Sequence, residues 1–131
     1  MTPPPTDDAA TQRPTVLVVD DDPDVRQVVL WALEDAGFDV QAASDGPAAL
    51  SRASMQRPAV VVLDIGLPSA DGAVVAARLR QVCGEELPIL VMTADGRAAE
   101  KAQRAGAYEY LHKPFQDEAL VAAVQRGLGT A

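Results

Sequence analysis

Four short runs of strand-forming residues in this chain each end on a polar group. Val16-Leu17-Val18-Val19 leads into Asp20, Asp21 and Asp22, and Val60-Val61-Val62-Leu63 leads into Asp64. Ile89-Leu90-Val91-Met92 leads into Thr93, and Tyr108-Glu109-Tyr110-Leu111-His112 leads into Lys113-Pro114. Uninterrupted Val/Ile/Leu runs suit strands covered on both faces, the usual condition of parallel sheets with helices above and below. In a parallel sheet the strand C-termini share one edge, and ligands bind along that edge. The pattern therefore constrains the chain to an α/β fold and gathers carboxylates, a hydroxyl and an ammonium at one place.

The segments between the runs read as helices, giving the alternation of βαβ units. Asp22 can cap the first helix and Pro23 sits at its first position. Val25, Val28, Val29, Ala32, Leu33 and Ala36 then recur at helical spacing, and Gly37 ends the helix. Phe38 to Ala43 forms the second strand, and Gly46-Pro47 opens a helix through Met55. Pro58 precedes the third strand, Ala59 to Leu63, and Asp71 can cap a third helix running to about Cys83. After the fourth strand a helix spans Asp95 to Ala105, closed by Gly106, and the last helix runs from Gln116 to Leu128. Its apolar face is Leu120, Ala123, Val124 and Leu128.

Strand character also orders the sheet. Runs one, three and four are continuously apolar, whereas Phe38-Asp39-Val40-Gln41 and Tyr108-Glu109-Tyr110 alternate. Alternation marks half-exposed strands, so strands two and five belong at the edges. Right-handed crossovers then favour a five-stranded, doubly wound, flavodoxin-like sheet of order 2-1-3-4-5 with five flanking helices. In that order strands one and three flank the switch point, and they carry Asp20, Asp21 and Asp64.

Bulk properties narrow the function classes. The 131 residues suffice for one domain with a real core. We expect a disordered tail over residues 1–14, which contain Pro3-Pro4-Pro5 among small polar residues, and one domain over residues 15–131. A formal charge of −8 with no basic run argues against a surface that contacts nucleic-acid phosphates. Cys83 is the sole cysteine, which excludes an intrachain disulfide and suits a reducing compartment. Packing is the simple role for it. The N-terminus lacks a basic-then-apolar leader, and no apolar run approaches the roughly 18 residues of a membrane helix. The expectation is a cytoplasmic protein without membrane contact.

The chemistry of the shared edge is that of phosphoryl groups and divalent metals. Neighbouring carboxylates repel, and a hard cation with oxygen ligands relieves the repulsion. Mg²⁺ fits best, because it keeps waters and needs few carboxylates. Asp64 can act as a nucleophile toward phosphorus, Lys113 supplies a fixed cation, and Thr93 supplies a hydrogen-bond donor. Each residue alone has a plain reading: Asp22 as a helix cap, Lys113 as a surface lysine, Thr93 as a strand end. Their convergence makes a site. His112 is the only histidine and lacks a second ligand nearby, so it is read as neither metal ligand nor phosphoryl carrier.

These motifs resemble the receiver domain of bacterial two-component response regulators, of the single-domain, chemotaxis-regulator-like kind, over Thr15 to about Leu128. The resemblance implies that Asp20 and Asp21 are the metal-site acids, with Asp21 in the direct role. It implies that Asp64 is the phosphoacceptor and that the Gly66 backbone carbonyl is a metal ligand, within the loop Leu63-Asp64-Ile65-Gly66-Leu67-Pro68. Asp71-Gly72 matches the step that opens the third helix, and Thr93-Ala94 matches the switch hydroxyl and its small neighbour. Lys113-Pro114-Phe115 matches the lysine–proline turn, often with a cis bond, and Tyr110 matches the switch aromatic. Gly66 departs from many relatives, which carry a polar side chain there that influences hydrolysis; the second position of that kind holds Asp95.

The function so implied is Mg²⁺-dependent acceptance of a phosphoryl group on Asp64 from a histidine kinase or phosphotransfer protein. Acceptance would switch binding of a downstream protein or relay the phosphoryl group onward, and a phosphorylation-dependent dimer is one output the family allows. Because residues after Leu128 are few, we expect a stand-alone receiver that does not turn over a separate substrate. Leu30 and Trp31 point away from the stripe of Val25, Val29 and Leu33 at about 100° per residue, which makes them candidate docking residues for the phosphodonor. The bland alternative is that Trp31 folds over a helix flank. The contrasting functional class is a receiver-like binding module that works without phosphorylation, against which the intact acids, Thr93 and Lys113 argue. An aspartyl phosphatase usually needs a second acid two residues after its nucleophile, where this chain has Gly66. No glycine-rich nucleotide loop follows a strand.

Overall fold

The computed structural model describes residues 13–66, 72–94 and 97–129. Among them are five strands and five helices in strict alternation. The strands are β1 (Thr15–Val19), β2 (Asp39–Ala43), β3 (Val60–Asp64), β4 (Ile89–Thr93) and β5 (Glu109–His112). The helices are α1 (Pro23–Asp35), α2 (Gly46–Met55), α3 (Gly72–Cys83), α4 (Ala98–Arg104) and α5 (Asp117–Gly127). All strand pairs are parallel, in the order β2-β1-β3-β4-β5, as expected from the sequence.

Alternation along the central strands divides the core between the two faces. Leu17, Val19, Val61, Leu63, Ile89 and Val91 pack with residues of α2, α3 and α4. Val16, Val18, Val60, Val62, Leu90 and Met92 pack with Val29 and Leu33 of α1 and Leu120 and Val124 of α5. Because successive strand residues point to opposite faces, a continuous apolar run feeds both layers at once. The edge strands are wetter, with β5 alternating half-buried and exposed.

Local signals set the element ends. Asp22 accepts hydrogen bonds from the N–H groups of Asp24 (2.9 Å) and Val25 (3.4 Å), capping α1 ahead of Pro23. Gly37 takes φ +96° past the end of α1, and the N–H groups of Gly37 and Phe38 turn back to the Glu34 and Leu33 carbonyls. Several bounds differ from the sequence reading by a residue or two. β3 extends to include Asp64, β2 and β5 start one residue later, and α5 is one residue shorter at each end. α4 begins at Ala98 rather than Asp95; Asp95, the Asp71 cap and residues 1–12 of the expected tail lie outside the described residues.

Two residues assigned to the core stripe of α1 are exposed. Val28 is 54% accessible and Ala36 is also exposed. Val28 lies about 100° around the helix from Val29, which turns it from the sheet toward the edge of α1. Cys83 is buried, and burial pushes its thiol above the ordinary range, as suits a packing residue. Among the described residues no helix is long and apolar enough to cross a membrane.

Candidate functional site

Sheet register assembles the site. Val19 pairs with Leu63, Asp64 with Met92, and Thr93 with His112, so the C-terminal ends of β1, β3, β4 and β5 arrive level. The ladder continues one step beyond: the Lys113 N–H donates to the Thr93 carbonyl at 2.8 Å. Asp20, Asp21 and Asp64 each offer an oxygen, and these oxygens all lie within 4.8 Å of one another.

The three carboxylates are held unequally. Asp20 is fully buried. Its Oδ1 accepts from the Asp22 N–H at 2.9 Å and its Oδ2 from the Lys113 ammonium at 3.0 Å. Asp64 is also buried, with Oδ1 accepting from the Gly66 N–H at 3.0 Å and Oδ2 lying 3.4 Å from Lys113 Nζ. Asp21 is exposed. Burial is the largest influence on Asp20 and raises its carboxyl above the ordinary range, against the hydrogen bonds from Asp22 and Lys113 and with the repulsion of Asp64. Burial works against the Lys113 ammonium too, but Asp20 and Asp64 outweigh it and raise its pKa. Three carboxylates thus gather beside one ammonium, which pairs with two of them, Asp20 and Asp64. The oxygen-only donor set and the excess negative charge fit a hard divalent cation.

Thr93 is buried at the end of β4, and Gly66 is exposed beside Asp64. The Lys113–Pro114 bond is cis. Tyr110 pairs with Val91, two residues before Thr93, and is 43% exposed. His112 is exposed and takes no part in the acidic cluster. The proposed docking pair divides. Trp31 is 60% exposed, whereas Leu30 is half-buried. Leu30 lies only about 60° from Leu33 around the helix, which explains its partial cover.

Three features escaped the sequence reading. The Arg26 guanidinium donates to the Asp20 carbonyl at 2.8 Å, tying α1 to the end of β1. Gly72 is buried so closely against Ile65 that an added Cβ would sit 3.0 Å from the Ile65 Cα and overlap its side chain. A groove of about 460 Å³ opens beside Lys113 between α1 and the turn after β5, lined by Val25, Val28, Ala94, Pro114 and Phe115. The apolar spacing of α1 hinted at the groove through Val25 and Val28, but nothing local marks the approach of Gly72.

Residues 16–125 match the family model of the response regulator receiver domain. The chain belongs to this family. It is 40% identical over 115 residues to the DNA-binding dual master transcriptional regulator RpaA of Synechocystis, covering 86% of this chain and 48% of that protein. It is 41% identical over 112 residues to the response regulator MprA of Mycobacterium leprae, covering 84% and 49%. The chain therefore spans about half the length of the curated relatives it matches. Among solved structures, the Vibrio cholerae chemotaxis protein CheY4 superposes with a TM-score of 0.82 at 34% identity, covering 88% of this chain and 99% of CheY4. A putative response regulator from Chloroflexus aurantiacus superposes with a TM-score of 0.83 at 36% identity, covering 90% and 99%. The receiver is thus a two-component signalling module with the doubly wound, CheY-like fold.

Proposed function

We propose that this receiver accepts a phosphoryl group on Asp64 from the phosphohistidine of a histidine kinase or phosphotransfer protein, with Mg²⁺ at Asp20, Asp21 and Asp64. The observation that carries this reading is the gathering of the three carboxylates within 4.8 Å while Lys113 reaches to 3.4 Å from Asp64. Asp20, Asp21, Asp64 and the Gly66 carbonyl would hold the ion, which when bound supplies positive charge toward the transferred oxygens. An Asp64 carboxylate oxygen bonds to phosphorus as the phosphorus–nitrogen bond of the donor breaks; the imidazole leaves with the electron pair. Lys113 faces the added negative charge and Thr93 donates to it. Thr93 then draws inward and Tyr110 follows, altering the α4–β5–α5 face that a downstream protein reads. The receiver would carry out this exchange in the cytoplasm.

The metal half is tested by thermal unfolding with Mg²⁺ titration. At ten times its Kd, an ion bound only by the folded chain adds about 1.4 kcal/mol. Wild type should gain this, and Asp21→Asn should not; Asp21 is exposed, so its loss costs the fold little. The transfer half is tested with acetyl phosphate as donor, which should add one phosphoryl group to wild type and none to Asp64→Asn.

Gly66 bears on how long the phosphoryl group survives. Among the described residues a Cβ there meets nothing closer than Asp64 Oδ1 at 3.5 Å, an ordinary van der Waals contact. We expect Gly66→Asn to fold normally and to change the dephosphorylation rate several-fold. An unchanged rate would show that the open space beside Asp64 does not govern lifetime.

The phosphodonor is proposed to dock on α1. Val28 and Trp31 stand one turn apart on its outer face, and Val28 also lines the groove beside Lys113. Trp31→Ala should shift stability by less than about 0.5 kcal/mol, as exposed positions do. It should slow transfer from the cognate kinase about ten-fold, as loss of an anchoring Trp would, and leave uptake from acetyl phosphate unchanged. Equal kinase transfer in the two proteins would remove Trp31 from the docking surface.

A further inference from the structure

The C-terminal end of α4 is held by a side chain from another helix. Arg80, in the last turn of α3, donates from Nη1 to the Ala105 carbonyl at 2.8 Å and from Nη2 to the Gly106 carbonyl at 2.7 Å. A helix leaves its last carbonyls without intrahelical donors, and its C-terminal end carries partial negative charge. One planar guanidinium reaches the carbonyl of the cap residue Ala105 and the next one in the turn, Gly106, and sets positive charge at that end, which a lysine could not do with the same geometry. Gly106 takes φ +69°, and a Cβ there would lie 3.2 Å from the Arg80 guanidinium nitrogens, so the turn is shaped to the clamp. The mount is fixed: Val75, Ala76 and Leu79 are buried along α3, and Gly72 at its other end packs on Ile65.

The opposite end of α4 is built differently. The helix spans only Ala98–Arg104; Arg97 at its N-cap position makes no side-chain capping hydrogen bond and pairs instead with Glu100 of the same first turn, an exposed pair within α4 that does not tie this end to another element. This is the end that follows Thr93 and Ala94 in the chain. Across β5, α5 is fastened: the Tyr108 hydroxyl donates to the Ala123 carbonyl at 2.7 Å, and Arg126 pairs with Glu109.

We propose that Arg80 is a pivot for the signalling face. When Asp64 is phosphorylated, α4 swings about its Arg80-held end, with its first turn moving most and α5 staying in place. The face then changes by rotation of one short helix, not by displacement of the whole α4–β5–α5 layer. This inference rests on the reading of Asp64 as phosphoacceptor and Thr93 as the switch.

Amide hydrogen exchange along α4 tests it in the full chain, with Mg²⁺ and acetyl phosphate, phosphoryl uptake being read separately by intact mass. The Lys101 amide bonds to the Arg97 carbonyl and reports the first turn; the Gly106 and Ala107 amides bond to Gln103 and Ala102 and report the held end. In wild type, phosphorylation should change exchange at Lys101 by about five-fold or more and leave Gly106 and Ala107 within about two-fold. Arg80→Met keeps the aliphatic stem and removes the donors. Without phosphorylation it should speed exchange at Gly106 and Ala107 about ten-fold, and with phosphorylation the change should spread to them. Arg80→Lys should fall between. An equal change along α4 in wild type overturns the pivot, as does unaltered exchange at Gly106 and Ala107 in Arg80→Met. A rise of the same size at Val29 and Leu33 in α1 would mark a general loss of stability and overturn the local role. A wild-type chain that gains no phosphoryl mass loses the reading of Asp64, and the pivot falls with it.

Discussion

Replacing Lys113 with Met is expected to cost about 2–3 kcal/mol of stability and to slow phosphoryl uptake about a hundred-fold. The stability loss follows from what the ammonium leaves behind. Asp20 is fully buried, keeps only its bond from the Asp22 N–H, and faces Asp64 without a cation between them. Breaking a buried ion pair by removing one partner costs about 3–5 kcal/mol, and the partial exposure of Lys113 trims that figure. Met keeps the apolar stem, so the loss reports charge and not packing. The measurement is the urea midpoint of each protein with and without Mg²⁺. Mg²⁺ should stabilise the variant more than wild type, because it offsets carboxylate charge that Lys113 no longer balances. A variant as stable as wild type, with no greater response to Mg²⁺, would mean that the ammonium does not hold this cluster together. The kinetic loss has a separate origin: a fixed donor aimed at developing charge is worth about 10²–10³ in rate.

The second large effect falls on Gly72. Helix propensity alone predicts that Gly→Ala stabilises a helix by up to about 1 kcal/mol. Packing predicts the reverse here, because a Cβ at Gly72 would stand 3.0 Å from the Ile65 Cα, a backbone atom that cannot step aside cheaply. Overpacking of this kind costs about 1–3 kcal/mol. Gly72→Ala should therefore destabilise, and since Ile65 follows Asp64 directly, relaxation of the clash should also displace the carboxylate and slow uptake about ten-fold. Chemical unfolding and the uptake rate, measured together, decide the sign. A stabilised Gly72→Ala protein would show that the contact yields easily.

Much of the molecule is legible in the chain because its signals are local and periodic. Continuous apolar runs for β1, β3 and β4, against alternating runs for β2 and β5, fix which strands are central, and handedness does the rest. Asp22, Pro23 and Gly37 mark the ends of α1 through their own backbone preferences. The convergence of Asp20, Asp64, Thr93 and Lys113 is legible for the same reason, since each follows a strand in a parallel sheet. What is not legible depends on which element approaches which. Val28 has core spacing but sits at the edge of α1, over the groove. Leu30, read as pointing away from the core stripe, lies about 60° from Leu33 and is half covered. The Arg80 clamp and the Gly72 contact join residues 25 and seven positions apart in ways that no periodicity encodes.

Intact mass of the wild-type chain after incubation with Mg²⁺ and acetyl phosphate, beside the same mixture with a chelator and beside Asp64→Asn, bears most directly on the proposed chemistry. The expected result is a single added phosphoryl group that appears only in the metal-containing wild-type sample and maps to the peptide holding Asp64. An equal gain in Asp64→Asn, or in the chelated sample, would contradict the assignment of Asp64 as the metal-assisted phosphoacceptor.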